Sequence, residues 1–172
     1  ANSINISRWL SQQIYYAIGI SQWEYENPPA ISVPSGNFGN LTAGLIAKKM
    51  GLKIDAFVAA TNANDVVPEY LQKGTFHPRP SVSTISNAMD VGNPSNFDRI
   101  LELYGKDWKA ISKLITGYRF SDRETIVAMK SVYDHSGYQM DPHGAIGYLG
   151  LKRYLETHPG MKCGVFLETA HP

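Results

Sequence analysis

The chain has 172 residues and a mass of 19.0 kDa, which suits one domain with a hydrophobic core of its own. Its 16 lysines and arginines balance 15 acidic residues and are scattered along the chain, so we expect no nucleic-acid partner. We also expect no membrane span, because no apolar run is long enough, and the single Cys163 excludes an internal disulfide and fits a reducing, cytoplasmic compartment.

Apolar residues recur at helical spacing over residues 7–21, which predicts a first helix with Arg8 near its start. Asn2 and Ser3, which precede it, suit a capping segment because their side chains can accept hydrogen bonds from the first helical amides. Together with Arg8 they also suit a phosphate site, since a guanidinium donates charge-assisted hydrogen bonds in pairs. On residue types alone, both interpretations stay open.

A short strand, a glycine-containing loop and a helix follow one another over residues 30–51. The strand is predicted over residues 30–33, because its residues are apolar or β-branched and Pro34 ends it. The helix is predicted over residues 41–50 with Gly51 at its C-cap. The loop between them, PSGNFGN at residues 34–40, has the form of an anion site, in which free amides and the positive helix end converge. A ligand-free turn would look the same locally.

A second strand is predicted over residues 54–60, which makes a βαβ unit and therefore a parallel sheet. Ligands of such sheets collect at the carboxyl ends of the strands, where the loop falls. Residues 61–65 (TNAND) follow the second strand and suit either helix capping or ligand contact. The fold class that we predict is α/β, with helices on both faces of the sheet.

The middle of the chain is predicted as a loop at residues 74–80 and a strand or extended segment at residues 81–85. A turn at residues 86–90 (SNAMD) follows, whose polar side chains could alternatively face a ligand. Residues 94–116 are predicted to be helical, with their aromatic side chains in the core.

The last third carries stronger local signals. Ser121 and Glu124 form a capping box before a helix that Gly137 ends. Asp141 and Pro142 are typical of an N-cap and a first helical position, so a helix is predicted to about residue 157. His143 in its first turn could act as a general acid or base, since imidazole titrates near neutral pH, but a structural role is the favoured interpretation. A final strand at residues 164–168 would place Thr169 at its carboxyl end.

Several of these segments resemble threonine synthases, which are pyridoxal-phosphate enzymes of fold type II. The loop closely resembles the phosphate loop of that family, and four further segments resemble its successive landmarks in order. These segments are ATNAND (60–65), SNAMD (86–90), DPHGA (141–145) and ETAHP (168–172). Residues 2–8 resemble another landmark. The resemblance therefore spans nearly the whole chain.

The resemblance implies a fold and a set of site residues. The fold is a three-layer αβα arrangement, and residues 1–172 would be a single domain, itself a fragment of the large cofactor-binding domain. Gly36, Asn37, Phe38 and Gly39 would bind the cofactor phosphate, and Thr169 would hydrogen-bond the pyridine nitrogen. Asn2, Ser3 and Arg8 would bind the substrate phosphate. No catalytic residue and no metal ligand is expected here, because the Schiff-base lysine of the family lies in an N-terminal part that this chain lacks.

The activity that the resemblance implies is the conversion of O-phospho-L-homoserine and water into L-threonine and phosphate by a carbon-oxygen lyase. The reaction combines elimination of the γ-phosphate with addition of water at the β-carbon. The chain alone is predicted to be inactive. The alternatives are another fold type II lyase, such as a dehydratase or sulfhydrylase, and a non-catalytic binding module with the same fold.

Overall fold

The structure is a computed structural model that describes residues 7–169. Helices and strands alternate along most of this part of the chain, and a short 3-10 turn covers Asn87–Met89. The elements are α1 (Ser7–Ser21), β1 (Ala30–Pro34), α2 (Gly39–Lys49), β2 (Ala56–Thr61), α3 (Val66–Lys73), α4 (Phe97–Leu103), α5 (Trp108–Leu114), β3 (Ile115–Arg119), α6 (Asp122–Ser136), α7 (Pro142–Thr157) and β4 (Gly164–Phe166).

The four strands form one parallel sheet in the order β3-β2-β1-β4. The central strand β1 pairs on one side with β2, with Ala30 opposite Ala56, and on the other side with β4, with Ala30 opposite Gly164. The predicted βαβ unit is therefore confirmed, and all four strands end at the same edge of the sheet.

Side chains of successive strand residues enter opposite layers, as the pleat of a strand requires. Ile31, Val33 and Phe57 belong to a core shared with helices α1 to α5. On the other face, Val58 packs with Tyr154 of α7, and α6 packs against α7. Helices thus cover both faces of the sheet, and the predicted three-layer arrangement is confirmed.

Helix α1 lies on α2 and is fixed there by Tyr16. The Tyr16 hydroxyl donates to the carbonyl of Asn40 at 2.9 Å, and its ring packs edge-on against Phe57. Complete burial raises the pKa of this hydroxyl, so it remains a donor. The bounds predicted for α1 are confirmed, although four apolar residues of the periodic pattern are at least half exposed: Leu10, Ile14, Tyr15 and Ile18.

The prediction of continuous helix over residues 94–116 is wrong. Gly105 and Lys106 both have positive φ, which ends α4, and Asp107 then caps α5 by accepting from the amides of Lys109 and Ala110. Residues 115–119 form β3, which pairs with β2. Residues 81–85 form no strand.

The local capping signals of α6 and α7 are confirmed. Ser121 and Glu124 form a complete capping box, Gly137 ends α6 with φ 70°, and Asp141 caps α7 with Pro142 in its first turn. Helix α2 begins at Gly39, two residues earlier than predicted. The C-cap of α2 is Met50, one residue before the predicted Gly51.

Candidate functional site

The carboxyl edge of the sheet gathers three polar segments that are far apart in sequence. Residues 35–38 follow β1, residues 62–65 follow β2, and residues 167–169 follow β4. Because β1 lies between β2 and β4, the glycine loop occupies the centre of this edge. Edges of this kind are where open parallel sheets bind ligands.

The loop presents free amides at the start of α2. The first helical hydrogen bond runs from the amide of Thr42 to the carbonyl of Phe38 at 3.0 Å. Within residues 7–169, the amides of Gly36, Phe38 and Gly39 donate to no acceptor. Amides left free at a helix start carry partial positive charge and suit an anion.

A wall formed by residues 88–96 supports the loop from behind. A Cβ at position 36 would lie 2.7 Å from the Cα of Met89, so only glycine fits there without a shift. The side-chain oxygen of Asn37 accepts from the amide and the hydroxyl of Ser95 at 2.7 and 3.1 Å. The carbonyl of Asn37 accepts from Asn96 at 2.9 Å. The side-chain oxygen of Asn37 therefore holds the loop against the wall.

The asparagines after β2 belong to a buried hydrogen-bond network. The side-chain Nδ2 of Asn62 lies 2.8 Å from both the Asp90 carboxylate and the Thr84 hydroxyl, and 3.0 Å from the Ser86 hydroxyl. Asn64 donates to Asp90 at 3.1 Å. The capping interpretation of this segment is wrong, because the N-cap Asp65 makes no side-chain cap hydrogen bond. The two asparagine side chains instead tie residues 84–90 to the carboxyl end of β2, and ligand contact stays a prediction.

Thr169 follows β4 at the same edge and is exposed. Its neighbour Glu168 lies against the first turn of α7, where its carboxylate occupies the space that a Cβ of Gly144 would need. Partial burial and the nearby Asp141 carboxylate raise the pKa of Glu168. Thr169 thus directly follows a residue that packs against the first turn of α7.

Asp141 and His143 form a close pair at the start of α7. Asp141 accepts from the amides of His143 and Gly144 at 3.1 and 2.9 Å, and the Nδ1 of His143 is hydrogen-bonded to the same carboxylate. Burial alone would raise the pKa of Asp141, but the hydrogen bonds from Gly144 and His143 outweigh it, and the pKa lies below its usual range. The Nε2 of His143 is buried and has no partner in the described part of the chain.

The residues expected to hold the substrate are only partly visible. Asn2 and Ser3 lie outside the described residues. Arg8 is exposed in the first turn of α1. Helix α1 packs on α2, and α2 begins directly after the loop. Arg8 therefore lies on a helix that neighbours the loop-bearing helix.

Sequence reasoning missed Asn96 and Gln12, which flank the loop. Their side-chain atoms lie 3.3 and 3.9 Å from where a Cβ of Gly39 would be. The Asn96 contact with Asn37 spans 59 residues, which no local pattern reveals. The only available signal was the segment 93–96 (NPSN), whose residue types are typical of a helix start.

Within residues 7–169, no three His, Cys, Asp or Glu side chains lie close enough together to hold a metal ion. None of the helices in this range is both long and apolar enough to cross a bilayer.

Comparison with known proteins extends the resemblance over the whole chain. The family model described as "Pyridoxal-phosphate dependent enzyme" matches residues 2–167. The threonine synthase of Haemophilus influenzae is 49% identical over 174 residues, an alignment that covers 100% of this chain and 40% of that protein.

Solved structures agree with the sequence comparison. The threonine synthase structure of Escherichia coli superposes with a TM-score of 0.89 at 43% identity, covering 99% of this chain and 39% of that one. The structure of threonine synthase from Brucella melitensis with pyridoxal phosphate bound gives 0.88 at 32% identity, covering 100% and 42%.

These comparisons confirm the fold class and the resemblance to threonine synthases. The chain spans about 40% of the length of the relatives that it matches. The cofactor expected from the sequence, pyridoxal phosphate, is the one for which the matching family is named. With a family match over 2–167, this chain belongs to the pyridoxal-phosphate dependent enzymes.

Proposed function

We propose that the glycine loop binds the phosphate of pyridoxal phosphate and that the longer protein containing this chain is a threonine synthase. That protein would be a carbon-oxygen lyase that converts O-phospho-L-homoserine and water into L-threonine and phosphate. The observation that carries the proposal is that the amides of Gly36, Phe38 and Gly39, at and just before the start of α2, donate to no acceptor within residues 7–169.

The loop fits a phosphate group in both charge and space. Helix α2 has 11 residues and no acidic residue in its first turn, so its positive end is not neutralised by its own side chains. Gly36 and Gly39 lack side chains that would screen the amides. A phosphate dianion could therefore accept several backbone hydrogen bonds at once.

Thr169 is proposed to hydrogen-bond the pyridine nitrogen of the cofactor. Strand β4, which precedes it, pairs with β1, which precedes the loop, so the two contacts would lie on neighbouring strands. When bound, pyridoxal phosphate supplies the electron-withdrawing ring that weakens bonds near a substrate amine. A neutral hydroxyl would orient that ring without holding its nitrogen protonated.

Asn2, Ser3 and Arg8 are proposed to hold the phosphate of the substrate. Support comes from the position of Arg8 on α1, beside α2, and from the fork of donors that a guanidinium offers to phosphate. A cationic contact of this kind would distinguish a phosphorylated substrate from the amino acids used by dehydratases or sulfhydrylases.

The chain is proposed to be part of a larger cofactor-binding domain and to be inactive alone. None of the segments at the carboxyl edge, 35–40, 62–65 and 167–169, contains a lysine that could bind the cofactor covalently. The exposed apolar side chains of α1, such as Leu10 and Tyr15, suit a surface that further protein covers. Turnover by residues 1–172 alone would contradict this proposal.

The test uses the full-length protein, with pyridoxal phosphate and O-phospho-L-homoserine. Phosphate and threonine should form in equal amounts, and Arg8→Ala should raise KM for this substrate at least tenfold. Arg123→Ala, an exposed arginine on α6, is the matched control and should leave KM unchanged.

Other outcomes would select the alternatives. Cofactor absorbance without phosphate release would indicate a dehydratase or sulfhydrylase. A folded protein without cofactor absorbance would indicate a non-catalytic binding module.

A further inference from the structure

The carbonyl of Asn37, in the middle of the glycine loop, is held by a buried side chain. Asn96 is 3% exposed and lies just before α4. Its Nδ2 donates to the carbonyl of Asn37 at 2.9 Å. Asn96 thus contacts the loop from the wall, and not from one of the three segments that follow a strand.

The orientation of the Asn96 carboxamide is set by Arg99. The Nη1 of Arg99 donates to the Oδ1 of Asn96 at 2.8 Å, and the guanidinium stacks over the ring of Trp9 at 4.6 Å. A guanidinium can only donate, so the carboxamide oxygen must face Arg99. Its NH₂ group is then committed to Asn37.

Fixing this carbonyl also fixes the amide of Phe38. The two groups belong to one peptide plane, and in a trans peptide they point in opposite directions. Phe38 has φ 63°, a conformation that residues with a side chain rarely adopt. Rotating the 37–38 peptide would relieve this φ and turn the Phe38 amide away, so an outside contact must resist that rotation.

We propose that Asn96 is a positioning residue that keeps the Phe38 amide directed at the bound phosphate. The inference rests on the function proposed above for the loop. Asn96 would act through the 37–38 peptide, without touching the cofactor or the substrate itself. Loss of the Asn96 side chain should therefore weaken binding of the phosphate group and leave the contacts to the rest of the cofactor unchanged.

The experiment compares pyridoxal phosphate with pyridoxal, which lacks the phosphate, as ligands of the full-length protein. Asn96→Asp keeps the shape of the side chain and the contact with Arg99 but cannot donate to Asn37. It should weaken binding of pyridoxal phosphate at least tenfold, about 1.4 kcal/mol, and change binding of pyridoxal less than twofold. Asn27→Asp makes the same charge change at an exposed position before the start of β1, at the opposite end of this strand from the loop, and should alter neither.

A purely structural role for Asn96 would give a different result. Equal loss of affinity for both ligands, or no loss for either, would overturn the inference. If wild-type protein bound pyridoxal phosphate no better than pyridoxal, the function proposed for the loop would fail instead.

A second variant covers the case in which Asn96→Asp does not fold. Arg99→Ala removes the contact that orients the carboxamide, from a half-exposed position on α4. It should weaken pyridoxal phosphate binding threefold or more with pyridoxal unaffected. Unchanged binding of both ligands by this variant would overturn the inference as well.

Discussion

Gly150 lies where α7 crosses the sheet, and its replacement by alanine should destabilise the fold. A Cβ there would come 2.6 Å from the Oγ of Ser32 and 2.7 Å from the Cβ of Ala60. Ser32 and Ala60 are completely buried in β1 and β2, the two central strands. The methyl group of Ala60 cannot move aside without displacing β2, so rotation of the Ser32 hydroxyl alone would not make room.

The size of the effect follows from two opposing terms. Alanine favours a helix interior over glycine by about 1 kcal/mol. Overpacking of a core costs about 1–3 kcal/mol, and two contacts below 3.0 Å, one of them to a methyl group without alternative rotamers, place Gly150→Ala at the upper end. The free energy of unfolding should therefore fall by about 2 kcal/mol.

Urea unfolding followed by tryptophan fluorescence measures this change. The matched control is Gly19→Ala in α1, where a Cβ would meet nothing within 4 Å and the helix preference acts alone. That variant should gain up to about 1 kcal/mol. If Gly150→Ala were as stable as the control, the close packing of α7 on the sheet would be refuted.

Three further predictions concern local interactions. Asp141→Ala should lower the free energy of unfolding by about 1 kcal/mol through loss of the α7 cap, and an unchanged urea midpoint would contradict this. The pKa of Glu69 is lowered from 4.5 to about 2 by Lys73 and Arg79, so the stability that its ionised form contributes is present above pH 4.5 and is lost towards pH 2. Glu69→Gln should therefore reduce the acid sensitivity of the melting temperature. An unchanged pH profile would argue against the ion pairs of Glu69 with Lys73 and Arg79. Gly36→Ala should weaken pyridoxal phosphate binding roughly tenfold by pushing the loop off its wall, and equilibrium titration showing wild-type affinity would contradict the tight fit.

Local signals in the sequence predicted much of the fold because each depends on nearby residues. The capping box of Ser121, the stop at Gly137 and the cap at Asp141 all involve atoms at most four residues apart. The strand before the glycine loop was predictable for the same reason, since Pro34 ends it and a helix follows.

The missed features depend on contacts between distant parts of the chain. Strand β3 begins with residues 115 and 116, which the sequence predicts as helix because Ile115 continues the apolar spacing of α5. Its partner β2 and the packing of Gly117 against Pro68 of α3 decide otherwise. The role of Asn96 depends in the same way on Asn37, to which no sequence pattern connects it.

The network of Asn62, Asn64 and Asp90 shows why polar residues at the carboxyl edge need not touch a ligand. Asn62 and Asn64 are buried, and their side chains are engaged with residues 82–90. That segment carries Met89, against which Gly36 is pressed. The network therefore helps to set the position of the loop at the proposed cofactor site. Asn96 does the same from the other end of the wall. On this reasoning the contacts proposed for the phosphate come from backbone amides, and the asparagines around them set where those amides point.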